Sequence, residues 1–303
     1  MKTTNYRNYI DGRFVDGADA GQIEVANPAN QQVLGRVPET SAEAVDAAVR
    51  AARAAQPAWA KLPAIQRANA LRKISAKLRE HRERLAELIT AEQGKVLGLA
   101  QVEVDFTADY IDYMAEWARR IEGEVIPSDR EGESIFLLRK PLGVIAGILP
   151  WNFPFFLIAR KMAPALVTGS TIVIKPSEET PLNAFEFAKL VDETGLPAGV
   201  FNLVGGTGAN AGAALSGHPG IDMVSFTGSV ETGSRIMQAA AKNLVKVNLE
   251  LGGKAPAIVL EDADLDLAAK AIVDSRVINT GQVCNCAERV YVQRGVADAL
   301  HVD

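Results

Sequence analysis

Two cysteines, one residue apart, are the strongest candidates for chemistry in this sequence. Cys284 and Cys286 lie in NTGQVCNCAER, and the chain has no other cysteine. A free thiol has an ordinary pKa of about 8.5, so a cysteine nucleophile needs activation at neutral pH. None of the three histidines lies in a suitable context, which argues against a Cys–His hydrolase. The C-x-C spacing lacks the further ligands of a zinc site, and two buried, inert thiols remain an alternative.

Other reactive side chains stand where a short apolar run ends. Asn152 in LPWNFP offers an amide that can donate to an oxyanion, although a turn residue bonding to its own backbone fits as well. Glu250 ends the apolar run of LELGGKAP. A carboxylate in apolar surroundings has a raised pKa, which suits a general base, while a paired structural carboxylate is the alternative.

Three further strand ends suit a dinucleotide. Lys175 and Glu178 in IKPSEETP stand where a ribose or phosphate would bind, and an acid that accepts from ribose hydroxyls favours NAD over NADP. Helix capping by Ser177 and the acids of the first turn fits the same residues. The glycines of VGGTGANAG and FTGSVETG allow a backbone to approach a phosphate, but a tight turn also requires glycine.

Alternating strands and helices would position these residues. Val/Ile/Leu-rich runs alternate with amphipathic stretches from about residue 142 to residue 252. This pattern predicts a parallel sheet that is covered on both faces and doubly wound, whose ligands bind beyond the carboxyl ends of the strands. Turn-rich strands between Tyr9 and Val37 come first, followed by long helices. Thr40 and Glu43 predict a capping box for the first helix.

Bulk composition excludes several classes of protein. The chain has 303 residues, of which 48% are apolar and 23% charged, as in a globular protein. A net charge of −5 gives no reason to expect a nucleic-acid partner. No apolar run is long enough for a membrane span, the N-terminus has no secretory h-region, and free thiols suit a reducing cytoplasm. The acids of EDADLDLA lack the glycine of a calcium loop and indicate a helix N-terminus instead.

The order of the motifs resembles that of the NAD(P)-dependent aldehyde dehydrogenase superfamily. LPWNFP, IKPSEETP, FTGSVETG, LELGGKAP and GQVCNCAER follow one another, and LELGG with GQxC is the most specific combination. Within the superfamily the chain is most similar to the bacterial lactaldehyde/glycolaldehyde dehydrogenases. The resemblance implies an α/β fold with a doubly wound (Rossmann-like) parallel sheet, N-terminal helices and an incomplete second α/β catalytic domain.

The resemblance also implies a role for each site residue. Cys284 would be the nucleophile and Cys286 a bystander, Asn152 would hold the oxyanion with the Cys284 backbone N–H, Glu250 would activate water, and Lys161 would assist catalysis. The implied contacts to the cofactor, NAD rather than NADP, come from Trp151, Lys175, Ser177, Glu178, Gly208, Gly212, Phe226, Gly228, Ser229 and Leu251. The implied substrate contacts come from Phe153, Arg160 and Asn285. No metal is implied.

The same resemblance divides the chain. Residues 1–122 and 142–252 would form the dinucleotide-binding domain, residues 123–141 a β-segment used for subunit pairing in homo-oligomers, and residues 253–303 the start of the catalytic domain. Members of the superfamily are much longer. We therefore expect a truncated product, a fragment or half of a split enzyme, with little activity by itself. We also expect the strand ERVYVQ to lack sheet partners.

Three functions remain open at this point. The first is oxidation of a small hydroxyaldehyde to its acid with NAD, through a cysteine thiohemiacetal and thioester. A guanidinium at Arg160 would favour an aldehyde with a nearby hydroxyl or carboxylate, although an ordinary surface arginine fits equally well. The second is a CoA-acylating relative, against which Glu250 argues because that route needs no activated water. The third is a nucleotide-binding remnant without catalysis.

Overall fold

The first part of the chain forms short strands and then long helices. The computed structural model describes residues 4–17 and 20–300. The first strands are β1 (Thr4–Asn5), β2 (Asn8–Ile10), β3 (Arg13–Val15), β4 (Gln22–Ala26) and β5 (Val33–Pro38). The helices that follow are α1 (Ala42–Lys61), α2 (Ala64–Glu80), α3 (Arg82–Gln93) and α4 (Leu97–Glu116).

Strands and helices alternate in the remainder. A hairpin of β6 (Glu124–Pro127) and β7 (Ser134–Leu137) comes first. The alternating region contains β8 (Val144–Ile148), α5 (Phe156–Thr168), β9 (Thr171–Lys175), α6 (Leu182–Glu193), β10 (Phe201–Leu203), α7 (Ala213–Ser216), β11 (Met223–Gly228), α8 (Val230–Ala241) and β12 (Lys246–Leu251). A π-helical turn, Gly208–Gly212, precedes α7. The last elements are β13 (Ala255–Val259), α9 (Leu265–Val277) and β14 (Ala287–Val292).

The central sheet has seven strands in the order β12-β11-β8-β9-β10-β2-β3. The five strands from β8 to β12 run parallel to one another, whereas β2 joins β10 antiparallel through the pair Tyr9 and Leu203. Non-consecutive neighbours such as β11 and β8 require crossovers, as in a doubly wound sheet. The predicted α/β fold class is therefore confirmed.

Apolar side chains bury both faces of this sheet. In β8, Val144, Ala146 and Ile148 belong to a core shared with α1, α7 and α8. Ile145 points the other way, into the larger core shared with α2 to α6. Because successive strand residues face opposite sides, a sheet that is covered twice requires the continuous apolar runs seen in the sequence.

The start of α1 differs from the prediction. Ser41, not Thr40, caps the helix, and its hydroxyl accepts a hydrogen bond from the Ala44 N–H at 3.3 Å. The Thr40 hydroxyl is buried and exchanges hydrogen bonds with the Asn8 amide at 2.9 and 3.2 Å. The predicted capping box therefore does not form, since Ser is a better cap than Thr and the residue three positions after Ser41 is Ala44, which has no polar side chain to bond back.

Three small β-structures lie outside the central sheet, and the first of them is a three-stranded sheet in the order β1-β5-β4. The β6–β7 hairpin is antiparallel, and its strands are exposed throughout. The strand ERVYVQ, expected to lack partners, corresponds to β14 and pairs in parallel with β13. That expectation was wrong because the chain leaves the central sheet after β12, so that β13 is free to form a separate two-stranded sheet with β14. The division into domains stays a prediction; residues 123–141 and 253–300 contribute no strand to the seven-stranded sheet.

Candidate active site

Asn152 lies in the loop after β8 and reaches a distant part of the chain. Its Nδ2 donates to the Gln282 carbonyl at 2.7 Å, two residues before Cys284. Its own carbonyl accepts from Lys95 Nζ at 2.9 Å and from Asn279 Nδ2 at 3.1 Å. The side chain therefore does not bond to its own turn, as the alternative required. A primary amide has two N–H donors, so one remains for a ligand.

A left-handed turn separates the two cysteines from α9. Asn279, Thr280 and Gly281 have φ angles of 47°, 58° and 78°, a conformation that costs energy for non-glycine residues. Cys284 then lies exposed, whereas Cys286 is buried with its Sγ 3.0 Å from Nη1 of Arg276. Two buried, inert thiols are thus excluded, and the exposed sulfur is the predicted nucleophile. Asn285 between them is also exposed.

Lys161 is a buried cation at the carboxyl end of the sheet. It belongs to α5, and its Nζ donates to Ser225 Oγ at 3.1 Å and to Thr227 Oγ1 at 3.0 Å, both on β11. Burial lowers the pKa of Lys161 to about 7; the charge of Glu250 opposes this shift and that of Arg160 adds to it. An amine in this state exchanges a proton readily at neutral pH.

Glu250 does not have the apolar surroundings predicted from LELGG. It lies on β12, the edge strand of the sheet, and its side chain is 47% exposed. Its Oε1 stands 4.0 Å from Nη2 of Arg160, which is itself 48% exposed. In the strand register Glu250 pairs with Thr227, a partner of Lys161. Within residues 4–17 and 20–300, no hydrogen bond joins Glu250 to Asn152 or Cys284.

Comparison with known proteins identifies the family of this chain. The model of the aldehyde dehydrogenase family matches residues 14–302. The chain belongs to the aldehyde dehydrogenase family. It is 65% identical over 290 residues to lactaldehyde dehydrogenase of Escherichia coli strain K12, a match that covers 96% of this chain and 60% of that protein.

Solved structures of aldehyde dehydrogenases agree with the fold. A crystal structure of lactaldehyde dehydrogenase from Escherichia coli superposes with a TM-score of 0.96 at 63% identity, covering 98% of this chain and 62% of the other. A 3,6-anhydro-L-galactose dehydrogenase in complex with NADP gives a TM-score of 0.93 at 44% identity, with 98% and 62% covered. The chain thus spans about 60% of the length of the relatives it matches.

The residues of the predicted ribose site are hydrogen-bonded to one another in a polar cluster beyond β9. Lys175 Nζ donates to Glu178 at 2.8 Å, and the Gly208 N–H donates to the same carboxylate at 3.0 Å. Burial lowers the pKa of Lys175, and the Glu178 carboxylate opposes that shift. Burial alone would raise the pKa of Glu178, but Lys175 and backbone N–H groups outweigh it and the pKa is lowered. The carboxylate therefore stays ionised, as an acceptor of ribose hydroxyls must be.

The accessible part of this cluster is the Glu178 carboxylate. Glu178 remains 32% exposed on its side chain, whereas Lys175, which donates to it, is only 2% exposed. A Cβ at Gly208 would meet only Glu178 Oε1, at 3.8 Å, so the surface in front of it is open. Gly212 ends the π-helical turn behind it, and Ser177, which is buried, accepts from the Glu179 N–H.

Four predicted cofactor residues surround the turn between β11 and α8. The Ser229 hydroxyl caps α8 and accepts from the Thr232 N–H at 3.1 Å. Gly228 lies against the Phe226 ring, where an added Cβ would stand 2.3 Å from Cζ. Leu251 ends β12 and packs on Gly233 of the helix. This turn could admit a phosphate at the helix N-terminus, although Ser229 already has a capping role.

The two aromatic residues beside Asn152 have different environments. Trp151 is 42% exposed, and its carbonyl accepts from Thr180 Oγ1 at 3.2 Å. Phe153 is partly buried beneath Lys95, whose Nζ lies 3.6 Å from the ring centroid. Trp151 can thus contact a ligand, whereas Phe153 packs against the ammonium group of Lys95.

Lys95 and Glu103 were not predicted from the sequence. Both side chains are completely buried, and they form an ion pair of 2.5 Å directly behind the Asn152 loop. In sequence they look like ordinary charges of an amphipathic helix, so nothing marked them out. In the part of the chain that the structure describes, no group of acids, histidines and cysteines could hold a metal ion, and no helix could cross a membrane.

Proposed function

We propose that this protein oxidises a small hydroxyaldehyde, lactaldehyde or glycolaldehyde, to the carboxylic acid with NAD. The hydrogen bond of 2.7 Å between Asn152 Nδ2 and the Gln282 carbonyl carries the proposal. It joins an amide donor at a sheet end to the loop of an exposed cysteine, although the two are 130 positions apart in sequence. An acyl-transfer or carbonyl-addition site requires that pairing of nucleophile and oxyanion donor.

The chain's own residues supply the covalent steps. The Cys284 thiolate attacks the aldehyde carbon, and the free N–H of Asn152, with the Cys284 backbone N–H, stabilises the resulting oxyanion. Bound NAD would supply the acceptor for the hydride that the thiohemiacetal loses as it becomes a thioester. Glu250 then deprotonates the water that hydrolyses the thioester. Lys161 assists as a proton exchanger, since burial lowers its pKa to about 7.

Lys175 and Glu178 support NAD as the cofactor. The carboxylate of Glu178 would accept from the hydroxyls of the adenosine ribose, and Lys175, whose side chain is only 2% exposed, would hold that carboxylate in place. A 2′-phosphate would place further negative charge beside this carboxylate, which disfavours NADP. Two free cysteines agree with a cytoplasmic location.

The test of the nucleophile is a turnover measurement on the purified protein with NAD and glycolaldehyde, following NADH absorbance. We expect a low rate in the wild type, since the chain spans only about 60% of the length of its relatives, loss of that rate in Cys284→Ala, and the wild-type rate in Cys286→Ala, the matched control. NAD binding should survive in both variants. Turnover in Cys284→Ala would contradict the proposal, and NAD binding without wild-type turnover would favour the nucleotide-binding remnant.

Arg160 provides the test of the substrate. Its guanidinium is half exposed and only 4.0 Å from the Glu250 carboxylate, so it stands at the proposed site of hydrolysis. Arg160→Leu should lower the preference for lactaldehyde over hexanal about 10-fold or more, since a hydrogen-bonded hydroxyl loses its donor. Arg235→Leu, which removes an exposed arginine on α8, should leave the ratio unchanged. Equal ratios in both variants would remove Arg160 from the proposal.

A further inference from the structure

A buried ion pair lies behind the loop that carries Asn152. Lys95 precedes α4 and Glu103 belongs to it, and both side chains have no exposed surface. Burying two charges is costly, and apolar residues of similar volume often stabilise a fold equally well or better. Stability alone therefore gives no reason for an ion pair at this place.

The side-chain hydrogen bonds of the pair to other elements all reach the segment from Asn152 to Phe156. Glu103 Oε1 accepts from the Phe155 N–H at 2.9 Å and from the Phe156 N–H at 3.1 Å, where α5 begins. Lys95 Nζ donates to the Asn152 carbonyl at 2.9 Å and covers the Phe153 ring. The pair thus holds both ends of the segment from residue 152 to residue 156.

The Asn152 carbonyl, which Lys95 fixes, links the ion pair to the loop of Cys284. The Asn152 carbonyl also accepts from Asn279 in the left-handed turn, and the Asn152 side chain donates to Gln282. A shift of the Asn152 backbone would therefore move the amide relative to the loop of Cys284. A displacement of about 1 Å at a reacting centre can cost on the order of 100-fold in rate.

We propose that Lys95 and Glu103 are positioning residues, which fix the Asn152 main chain so that its amide is aimed at the oxygen of a group attached to Cys284. This rests on the proposed function, because it assumes that Cys284 forms tetrahedral adducts. The two residues touch neither substrate nor cofactor, and their effect is confined to steps in which an oxyanion develops.

The test compares two reactions of the same thiol in a Cys286→Ala background. Acylation by p-nitrophenyl acetate forms a tetrahedral oxyanion, after which the C–O bond breaks and p-nitrophenolate leaves. Alkylation by iodoacetamide displaces iodide and forms no oxyanion. The ratio of the two rates therefore reports the oxyanion donor and cancels changes in the exposure or ionisation of Cys284. The measurement needs neither cofactor nor turnover.

We expect Asn152→Ala to lower this ratio by about 100- to 1000-fold. Lys95→Met should lower it by about 10- to 100-fold, with the alkylation rate changed by less than about 2-fold. The matched control is Lys77→Met, which removes a lysine paired with Glu80 on the surface of α2 and should leave the ratio unchanged. If the wild-type ratio equals that of Asn152→Ala, the proposed function fails and not the positioning role alone.

A second variant guards against loss of the fold. Lys95→Met leaves Glu103 buried without its partner, whereas Lys95→Met with Glu103→Gln removes both charges and keeps an acceptor for the N–H groups of α5. The double variant should remain folded in thermal unfolding and still show the lowered ratio. A normal ratio in either folded variant overturns the proposal. Unfolding of both variants overturns it as well, because the pair would then act in fold stability alone.

Discussion

The two cysteines differ sharply in their exposure to solvent, although they are neighbours in sequence. Cys284 is exposed and Cys286 is buried, although only Asn285 separates them. Sequence spacing does not distinguish them, and the preference for Cys284 came from the family motif. The structural reason is the left-handed backbone from Asn279 to Gly281, which directs the chain out of α9 before β14 begins.

Asn152 was identified from its sequence context, but its supports were not. Two prolines flanking Trp-Asn-Phe suggested a rigid loop, and the amide does lie in one. Lys95 and Glu103 were invisible because their burial arises from the packing of α4 against α5, which no local pattern reports. Glu250 was misjudged for the opposite reason: an apolar run suggested an interior strand, whereas β12 lies at the edge of the sheet.

The buried amine of Lys161 predicts a pH-dependent stability. Its native pKa of about 7 lies below the ordinary value of 10.5, so the unfolded chain binds more protons between these values. The free energy of unfolding should therefore rise with pH above 7, by up to ~1.4 kcal/mol per pH unit, and be insensitive to this group below 7. Lys161→Met should reduce that rise in urea unfolding between about pH 7 and about pH 9, while Lys95 and Lys175, whose pKa values burial also lowers, remain in the variant.

Lys77→Met serves as the control for this measurement. Lys77 lies near the surface, and the hydrogen bonds that it donates to Glu80 and Glu193 raise its pKa, so it stays charged in both states over the whole window. The slope of Lys77→Met should match that of the wild type. A wild-type slope in Lys161→Met would show that the amine is protonated in the native protein.

At the scale of elements, the alternating region was predictable and the sheet edge was not. The apolar runs predicted β8 to β12, and each strand occurs where it was expected, although residues of β12 alternate between exposed and half-buried. The position of β2 was not foreseeable, since Tyr9 pairs with Leu203 and such pairing depends on tertiary packing rather than local pattern. Likewise, the departure of β13 from the sheet has no signal in the run KAPAIVL.

The turn between β11 and α8 requires glycine for steric reasons. Gly228→Ala would place a Cβ 2.3 Å from the Phe226 ring, which is buried and has little space to move. We expect a loss of about 1–3 kcal/mol in the free energy of unfolding, measured by urea denaturation, and weaker NAD binding because the turn must shift. The expected destabilisation comes from the clash with the Phe226 ring and not from backbone strain.

Gly252 provides the matched control at the end of the adjacent strand. A Cβ at this position would meet no atom within 4 Å, so Gly252→Ala should change stability by less than about 0.5 kcal/mol. Similar destabilisation in the two variants would mean that glycine acts through backbone freedom at both strand ends.

At the scale of the molecule, the β6–β7 hairpin carries an exposed apolar surface. Val125 is 71% exposed, Phe136 66% and Leu138 70%. Clusters of this kind commonly mark an interface, and the family resemblance assigns subunit pairing to this segment. Phe136→Glu should lower self-association at least about 10-fold, as measured by sedimentation over a range of concentrations, since a charge in an apolar interface is not solvated.

Leu244→Glu is the control for this surface. Leu244 is 92% exposed and lies in the loop between α8 and β12, away from the hairpin, so the same charge there should not alter association. A wild type that sediments as a monomer at every concentration, or a Phe136→Glu variant that associates normally, would remove the hairpin as a pairing surface.

The antiparallel position of β2 has a consequence for biosynthesis. The Tyr9 hydroxyl bonds to Asp192, 183 residues later in the chain, and the strand itself pairs with β10 beyond that point. A ribosome that adds about 5–20 residues per second needs roughly 10–40 s to produce this partner. Closing a short loop takes well under a millisecond. Translation, rather than the conformational search, therefore determines the earliest moment at which β2 can join the central sheet.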